Sequence, residues 1–472
     1  MKSILLLLLL LIGAFWVPAQ PVQLKKIDSV CLLVERYLNE NKYDSLYELT
    51  GGTFRNRLDQ ETFKALAGSQ FRPLGLIDKI VFEKFTDDVG WYKVYFPAAI
   101  LDLLVSLDSM GKIDFFRLKT LRGGEEGLSS NPLQTKLDRQ VDGMARRYMK
   151  QQNTVGVSIG ILKDGKTYFY GYGETAKGNH RVPGPVTSFE IASITKTFTA
   201  TLLAIAVLEG KVRLDDPVNK YLPDSIPSLQ YKDKPVTMQD LANHTAALPH
   251  MPGNFDSAVV DPVHHPASFY SVGNLYSFLK YYHLTWEPGT RYAYSNTAFD
   301  LLAVILANIF KQSYEELVAK YICTPLGMND TREFVRNTDS SFYAKGYDEN
   351  GNYIRPWNHQ AALSGAGGLG STARDLLMYA KANLGKAPPS IQKALRLTQE
   401  TTFSTREATV GLGWHYIQPG ATKVLFHNGG TGGYTSYFGI NLNKKMAVVI
   451  LANSTAPLNQ DGDLLMKRLE NE

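Results

Sequence analysis

The amino-acid sequence predicts an α+β protein: an antiparallel sheet flanked by helices, with an all-helical region, preceded by a small α+β domain. Strand-like stretches lie at 155–172 and again at 423–452, with helical patterns filling the interval between them. Residues 122–132, rich in Gly, Ser and charge, separate this long segment from a shorter pattern of helices followed by strands. Strands at both ends with helices between indicate one antiparallel sheet built from both termini.

The first twenty residues have a pattern of their own. Lys2 supplies a positive charge, Ile4 to Val17 is apolar, and Val17-Pro18-Ala19 offers a cleavage site. This layout predicts a secretory signal peptide over 1–20, because the apolar run is shorter than the about 20 residues that a membrane span needs. We therefore expect an exported protein, periplasmic or extracellular, without an integral membrane span after signal removal. An uncleaved N-terminal anchor is the alternative.

Residues 24–121 predict a small α+β domain. Apolar residues recur at helical spacing from Ile27 to Leu38, and Phe63 to Ala67 indicates another helix. The predicted strands that follow are Ile77–Phe85, Tyr92–Phe96, Leu101–Leu107 and Ile113–Leu118. The domain resembles small export-associated domains of cystatin-like or NTF2-like shape, and no residue cluster in it suggests chemistry. We expect it to contact a partner or the cleft of residues 133–472, to which the linker 122–132 joins it.

Composition excludes several classes of function. Hydrophobic residues make up 44% of the chain and charged residues 20%, as in globular proteins. The net charge of +5 comes from scattered Lys and Arg, whereas nucleic-acid binding favours a clustered basic patch. Cys31 and Cys323 lie in separate apolar helical patterns, so we expect buried thiols and no disulfide. No zinc-ligand spacing occurs, and we expect neither a metal nor an organic cofactor.

The segment Ala192-Ser193-Ile194-Thr195-Lys196 opens a predicted helix that runs to Gly210. Residues three apart share one helix face, so Ser193 and Lys196 should be neighbours. A serine hydroxyl becomes a useful nucleophile when a base takes its proton, and burial favours the neutral lysine that can do so. The helix N-terminus adds free N–H groups where an oxyanion would develop. The alternative is an N-capping serine and a solvated lysine, because Ser-x-x-Lys also occurs by chance.

Two further motifs place polar groups near predicted turns. Tyr294 and Asn296 follow the turn at Pro288-Gly289, so we expect both on a loop that faces a cleft. A phenol beside a lysine ammonium can exist as phenolate and move protons, and an Asn amide can donate to and accept from an amide substrate. A packed Tyr beside a turn Asn is the alternative.

Farther along, His427-Asn428-Gly429-Gly430 lies at a strand edge, where glycines let a substrate backbone approach. A glycine-rich phosphate loop is excluded here, because a strand pattern and not a helix follows the glycines.

The three motifs together resemble the signature of serine β-lactamases and penicillin-binding proteins. That signature is Ser-x-x-Lys, then Tyr-x-Asn, then a basic residue followed by x-Gly, in this order. The likeness covers about 135–465 and is greatest to the class C-type branch, which also holds D-Ala carboxypeptidases, D-aminopeptidases and esterases. The flanking segments that support it are 189–193, 241–249, 367–376 and 411–414.

The resemblance implies a role for each motif residue. Ser193 would be the acylated serine, Lys196 its activating partner and Tyr294 the proton shuttle. The substrate contacts would be Asn296, His427 and Gly429, and the oxyanion hole would be formed by the backbone N–H groups of Ser193 and Gly430.

Two residues depart from the family pattern. His427 stands where many relatives have Lys, and the charge of an imidazole depends on pH near 6.5. Met251 falls near a Gln that class C β-lactamases keep for the acyl-side amide. Both changes argue against efficient β-lactam hydrolysis and leave a peptidase or esterase open.

The sequence therefore predicts a serine hydrolase that acts through an acyl-enzyme on a small-molecule or peptide amide or ester. The substrate would be a D-amino-acid peptide, a β-lactam or a small ester. The alternative is a penicillin-binding sensor without turnover, or a pseudoenzyme that uses the cleft for binding.

The other histidines and the aromatic stretch receive structural interpretations. His244 is expected to be a hydrogen-bonded scaffold residue, and His250, His264, His265 and His359 are expected at the surface or the cleft rim. Phe269–Tyr282 is interpreted as packing.

Overall fold

The computed structural model divides the chain into two compact units, residues 1–121 and residues 122–472. The described residues are 22–71, 76–86, 88–95, 100–120, 128–255, 270–333, 342–356, 362–417 and 424–470. The predicted signal segment 1–20 lies outside them and stays a prediction. Within these ranges, no helix is long and apolar enough to cross a membrane.

The first unit is built from helices followed by an antiparallel sheet. Its helices are α1 (Val22–Asn39), α2 (Tyr43–Glu48), α3 (Gly52–Arg55) and α4 (Gln60–Phe71), and its strands are β1 (Lys79–Thr86), β2 (Val89–Tyr95), β3 (Ile100–Leu107) and β4 (Ile113–Thr120). The strands pair in sequence order. The helical spacing in α1 is explained by the core, because Ile27, Cys31 and Val34 all point into it.

The second unit is dominated by helices in its middle part. They are α5 (Lys136–Met149), α6 (Thr195–Leu208), α7 (Met238–Ala242), α8 (Val272–Tyr281), α9 (Asn296–Phe310), α10 (Tyr314–Val318), α11 (Thr324–Leu326), α12 (Ser364–Gly367), α13 (Ala373–Asn383), α14 (Pro389–Thr398) and α15 (Asn459–Glu470). A 3₁₀ turn, Ala192–Ile194, leads directly into α6. In the predicted aromatic stretch, Tyr270, Leu275 and Leu279 are fully buried, which agrees with the packing interpretation.

Strands from both ends of the second unit form one antiparallel sheet, as predicted. The strands described in the second unit, including those of smaller sheets, are β5 (Gly156–Lys163), β6 (Lys166–Gly173), β7 (Phe189–Glu190), β8 (Gln230–Tyr231), β9 (Lys234–Pro235), β10 (Arg332–Glu333), β11 (Gly346–Tyr347), β12 (Tyr353–Ile354), β13 (Leu369–Ser371), β14 (Phe403–Ser404), β15 (Thr409–Val410), β16 (His415–Ile417), β17 (Val424–Gly430), β18 (Thr435–Asn441) and β19 (Met446–Ala452). The eight-stranded sheet has the order β14-β15-β16-β17-β18-β19-β5-β6, so β19 joins the two ends. Helices α5 and α15 pack on one face and α13 on the other.

Helix α6 forms the centre of the helical core. Every residue from Thr195 to Ala206 is buried, including the polar Lys196 and several threonines. A helix buried all round lies inside a core rather than on its surface. Helices α9, α12 and α14 surround it.

The last part of the predicted linker 122–132 pairs with the sheet of the second unit. Residues 128–131 pair with the edge strand β6: the amide of Gly173 donates to the carbonyl of Leu128, and the amide of Ser130 donates to that of Gly171. The Asn131 amide nitrogen also donates to the Tyr172 hydroxyl, at 2.6 Å. Residues 128–132, directly before Leu133, therefore belong with the second unit.

We predict that a fragment of residues 128–472 folds on its own, because its sheet and cores lie wholly downstream of the linker. A fragment of residues 133–472 should also fold, but with a free energy of unfolding lower by about 1–3 kcal/mol, since Asn131 and Ser130 no longer pair with β6. Urea denaturation of the two fragments measures the difference. Equal stabilities would contradict the assignment of 128–132 to the second unit.

Candidate active site

Ser193 lies in the 3₁₀ turn that precedes α6, not inside the helix itself. The residue before it, Ala192, has φ of 47°, in the left-handed region that costs a non-glycine residue about 1–2 kcal/mol. The turn is held by the Ser436 hydroxyl, which donates to the Ile191 carbonyl at 2.9 Å. A strained but well-anchored turn thus presents the serine at the start of a buried helix.

Lys196 lies one turn later, and its side chain has no exposed surface. Its Nζ is 3.1 Å from Oγ of Ser193, 2.7 Å from Oδ1 of Asn296 and 2.7 Å from the Ala366 carbonyl. Burial lowers the pKa of Lys196 to about 7, although the carboxyl of Asp300 opposes this shift. A neutral amine has two N–H groups for Asn296 and Ala366, and its lone pair can accept the serine proton.

Tyr294 covers the same lysine from the other side. Nζ of Lys196 lies 4.9 Å from the centroid of its ring, and the ring stacks on His244 with centroids 4.4 Å apart. Burial raises the pKa of the Tyr294 phenol, and a hydrogen bond with Ser193 offsets this only in part. Burial therefore favours the protonated phenol over the phenolate that the sequence allowed. It can donate a proton rather than accept one.

Asn296 is the first residue of α9, which corrects its predicted position on a loop. The hydroxyl of Ser295 caps the helix by accepting from the Ala298 amide at 3.0 Å. With its oxygen bound to Lys196, the Asn296 amide nitrogen faces the opposite way, 3.3 Å from Sδ of Met251. The helix start therefore fixes the amide between the lysine and the loop that carries Met251.

The two glycines of the third motif form the end of β17, beside the serine. A Cβ placed on Gly429 would lie 2.6 Å from the Ile191 carbonyl and 2.7 Å from Cβ of Ala192, so only glycine lets the strand approach this closely. The neighbouring Gly430 is exposed and has open space on its Cα side. Strand β16 pairs with β17 only as far as Phe426, so it leaves the edge at 427–430 unpaired on that side. This is the place where backbone N–H groups can receive an oxyanion.

His427 is placed next to Tyr294 but does not carry the charge of the lysine found in many relatives. It has 1% of its surface exposed, and burial holds its pKa well below 6.5, with His415 and Lys196 adding to the effect. Its Nδ1 donates to the Asn428 carbonyl at 2.7 Å, which leaves Nε2 as the unprotonated nitrogen. Among the described residues, Nε2 has no hydrogen-bond partner. His427 is thus a neutral group with a free lone pair.

Two more imidazoles complete this side of the site. His415, on β16, lies 5.1 Å from His427 between ring centroids, and its Nε2 is 2.6 Å from the Tyr292 hydroxyl. Burial lowers the pKa of His415 to about 4. Nδ1 of His244 accepts from the Ser295 amide at 3.0 Å, in agreement with the scaffold interpretation.

His250 is exposed at the rim, whereas His264, His265 and His359 lie outside the described residues. Sequence reasoning missed His415 and Asp300. The sequence signal for each residue was its position. His415 directly follows the segment 411–414, and Asp300 comes one helical turn after Asn296. In the described part of the chain, no cluster of His, Cys, Asp and Glu could hold a metal ion. Cys31 and Cys323 are both buried and free.

A family model described as Beta-lactamase matches residues 141–470. The chain belongs to this family. The D-alanyl-D-alanine-carboxypeptidase/endopeptidase AmpH of Escherichia coli K12 is 28% identical over 337 residues, covering 68% of this chain and 84% of that protein. A Beta-lactamase of Pseudomonas fluorescens is 27% identical over 356 residues, covering 68% and 95%.

Solved structures show the same relationship to the beta-lactamase family. A Beta-Lactamase/D-Alanine Carboxypeptidase from Pseudomonas syringae superposes with a TM-score of 0.61 at 27% identity, over 72% of this chain and 99% of that one. A class C beta-lactamase gives a TM-score of 0.62 at 26% identity, over 72% and 98%. The predicted fold and the enzyme class, a serine hydrolase, are confirmed. Residues 1–121 lie outside the family match, and their resemblance to cystatin-like or NTF2-like domains stays a prediction.

We predict that His427 and His415 remain neutral at pH 5.5, because burial disfavours their charged forms. The ¹⁵N shifts of the imidazoles, assigned with His427→Gln and His415→Gln, measure this directly. Unfolded imidazoles take up protons below about pH 6.5 while these two do not, so the stability present above that pH should decline as the pH falls. The expected slope is about 1.4 kcal/mol per pH unit for each histidine. Titration of His427 near 6.5 in the folded protein would contradict this.

Proposed function

We propose that this serine hydrolase cleaves an ester or amide through an acyl-enzyme on Ser193, and that it prefers substrates without a free carboxylate beside the scissile bond. The observation that carries the proposal is the buried Nζ of Lys196, 3.1 Å from the serine hydroxyl. Its two other partners, Asn296 and Ala366, fix its position, and burial brings its pKa to about 7, where a base works at neutral pH.

The acylation step follows from this arrangement. Oγ of Ser193 attacks the carbonyl carbon while its proton passes to the neutral amine of Lys196. The electron pair of the carbonyl moves to its oxygen, which the N–H groups of Ser193 and Gly430 stabilise; one such donor contributes about 3–4 kcal/mol. Tyr294, protonated at rest, donates its proton to the departing oxygen or nitrogen and regains one from the Lys196 ammonium. The bond to the leaving group breaks, and the acyl ester remains.

Deacylation uses the same groups with water as the nucleophile. Water attacks the ester carbonyl, its proton passes to the amine, and the same N–H pair holds the second oxyanion. When this intermediate collapses, the bond to Oγ breaks, Ser193 recovers its proton and the acid is released.

The preference for uncharged substrates rests on the histidines. A substrate carboxylate beside the scissile bond needs a cation, and the neutral His427 provides a lone pair instead. Met251 adds a thioether, which is only a weak hydrogen-bond acceptor, whereas the side-chain amide of a Gln would both donate and accept. Of the three substrate classes compatible with the motifs, a small ester or a peptide without a terminal carboxylate fits this site better than a β-lactam.

We expect a fluorophosphonate probe to label the protein at Ser193, because this hydroxyl lies next to a buried amine. Ser193→Ala should lose the label and reduce kcat/KM for p-nitrophenyl acetate by at least about 10⁴-fold, as for a removed nucleophile. Peptide mapping by mass spectrometry locates the label. The control is Ser404→Ala, an exposed serine on β14, which should be labelled like the wild type.

Retention of the label in Ser193→Ala would show that another residue is the nucleophile. A burst of product without subsequent turnover would instead identify the acylating sensor, the alternative to a hydrolase with turnover. Continued release of product after the burst supports the proposal.

We predict that His427→Lys changes the preference for charged substrates. A lysine ammonium should raise kcat/KM for an ester that bears a carboxylate, relative to a matched ester without one, by about tenfold or more, the size of one hydrogen bond to a charged group. His427→Gln, which stays neutral, is the matched control and should keep the wild-type ratio. An unchanged ratio in a folded His427→Lys variant would show that residue 427 does not face the substrate.

A further inference from the structure

Asp300 is a buried carboxyl group on α9, one helical turn after Asn296. Residues four apart share a helix face, so both side chains point towards the start of α6. Only 1% of Asp300 is exposed. Its Oδ1 accepts a hydrogen bond from the Ala366 amide at 2.9 Å. An acidic side chain at such a position requires a compensating partner, because burying a charge is costly.

The Ala366 residue connects this carboxyl group to the lysine. Its N–H binds Asp300, and its carbonyl accepts from Nζ of Lys196 at 2.7 Å. Ala366 lies in the four-residue helix α12, whose first N–H groups have no partner within the helix, and Asp300 supplies one. Asp300 thus binds the backbone of Ala366, and the same residue binds the amine of Lys196.

Helix α12 also packs closely against α9, which fixes its position. A Cβ placed on Gly365 would lie 2.4 Å from Cβ of Ala303 and 2.4 Å from the Phe299 carbonyl, both on α9. The hydrogen bond from Ala366 to Asp300 therefore joins two elements already in backbone contact. A change at Asp300 should reach Lys196 through the backbone of this one residue, Ala366.

The carboxyl group of Asp300 and the amine of Lys196 also shift each other's pKa. Burial raises the pKa of Asp300 to about 8, although Lys196 opposes this shift, and Asp300 in turn raises the pKa of Lys196 against the effect of burial. The titratable groups that interact electrostatically with one or other of the two are Tyr270, Tyr294 and Tyr314 around Asp300, and His244, His250, His415 and His427 around Lys196. Burial favours the neutral form in all seven.

We propose that Asp300 is a positioning residue for Lys196: through the Ala366 backbone it fixes the amine beside Ser193. The inference rests on the proposed function, in which Lys196 takes the serine proton. In this arrangement Asp300 touches neither substrate nor nucleophile. Its carboxylate form also favours the protonated amine, so removing the carboxyl group should lower the pKa of Lys196.

The experiment compares the full-length protein with Asp300→Asn and Asp300→Ala. In the wild type, kcat/KM for p-nitrophenyl acetate should fall as the pH drops through the pKa of Lys196. Asn keeps an oxygen for the Ala366 amide but removes the charge, so this acid limb should move to lower pH by about one unit. Ala also removes the acceptor, and kcat/KM should fall on the order of 100-fold, as for a displaced catalytic group.

Asp375→Asn is the matched control. Asp375 is another fully buried aspartate with a raised pKa, and it accepts from the Asp330 amide at 2.8 Å. Its loss should lower stability and leave the acid limb in place. An equal movement of the limb in Asp375→Asn would assign the effect to general destabilisation and overturn the proposal.

A readout independent of activity separates this inference from the proposed function. The ¹⁵Nζ shift of Lys196, assigned with Lys196→Met, should report a lower pKa in Asp300→Asn than in the wild type. An unchanged Lys196 pKa and an unmoved acid limb would overturn the role of Asp300 while leaving the acyl-enzyme intact. Activity that persists in Ser193→Ala would instead overturn the proposed function itself.

Discussion

The structure of the second unit depends on the burial of α6 from Thr195 to Ala206, because the same packing that forms the core also removes water from Lys196. A helix surrounded by α9, α12 and α14 has no solvent-facing side on which a lysine could extend. The amine must therefore find its partners inside the protein. It finds them in three different elements: the serine turn, the start of α9 and the peptide of Ala366. One desolvated amine thus joins the segments that make up the candidate site.

Three residues near this amine have strained backbone. Ala192, His244 and Ala247 all have positive φ without being glycine, and all three lie on segments that contact the site. Such conformations persist only where the surrounding structure determines them, and they concentrate at functional sites. Here the determinants are visible, since β17 approaches the serine turn through Gly429, and His244 is held by the Ser295 amide. The rigid sheet and helices stabilise a local geometry that an isolated loop would not keep.

The sequence predicted the antiparallel sheet and the motif residues, because strand patterns and fixed spacings are local signals. It placed Asn296 on a loop, since the cap at Ser295 and the apolar run of α9 were not read as a helix start. His415 could not be found in this way: β16 has three residues, too few for an alternating pattern, and only the pairing of His415 with Phe426 brings it beside His427. Asp300 stands alone in an apolar helix, and its partner Ala366 is 66 residues away.

The neutral state of His427 and the low pKa of Lys196 support each other. A permanent cation at position 427 would face the amine across a low-dielectric site, and each charge would disfavour the other. A substrate carboxylate held there would act in the opposite direction, raise the pKa of Lys196 and make it a poorer base at neutral pH. With neutral imidazoles on one side and Asp300 on the other, the charge of the amine is set by the protein and not by the substrate. The proposed preference for uncharged esters and amides therefore has the same physical reason as the low pKa of the lysine.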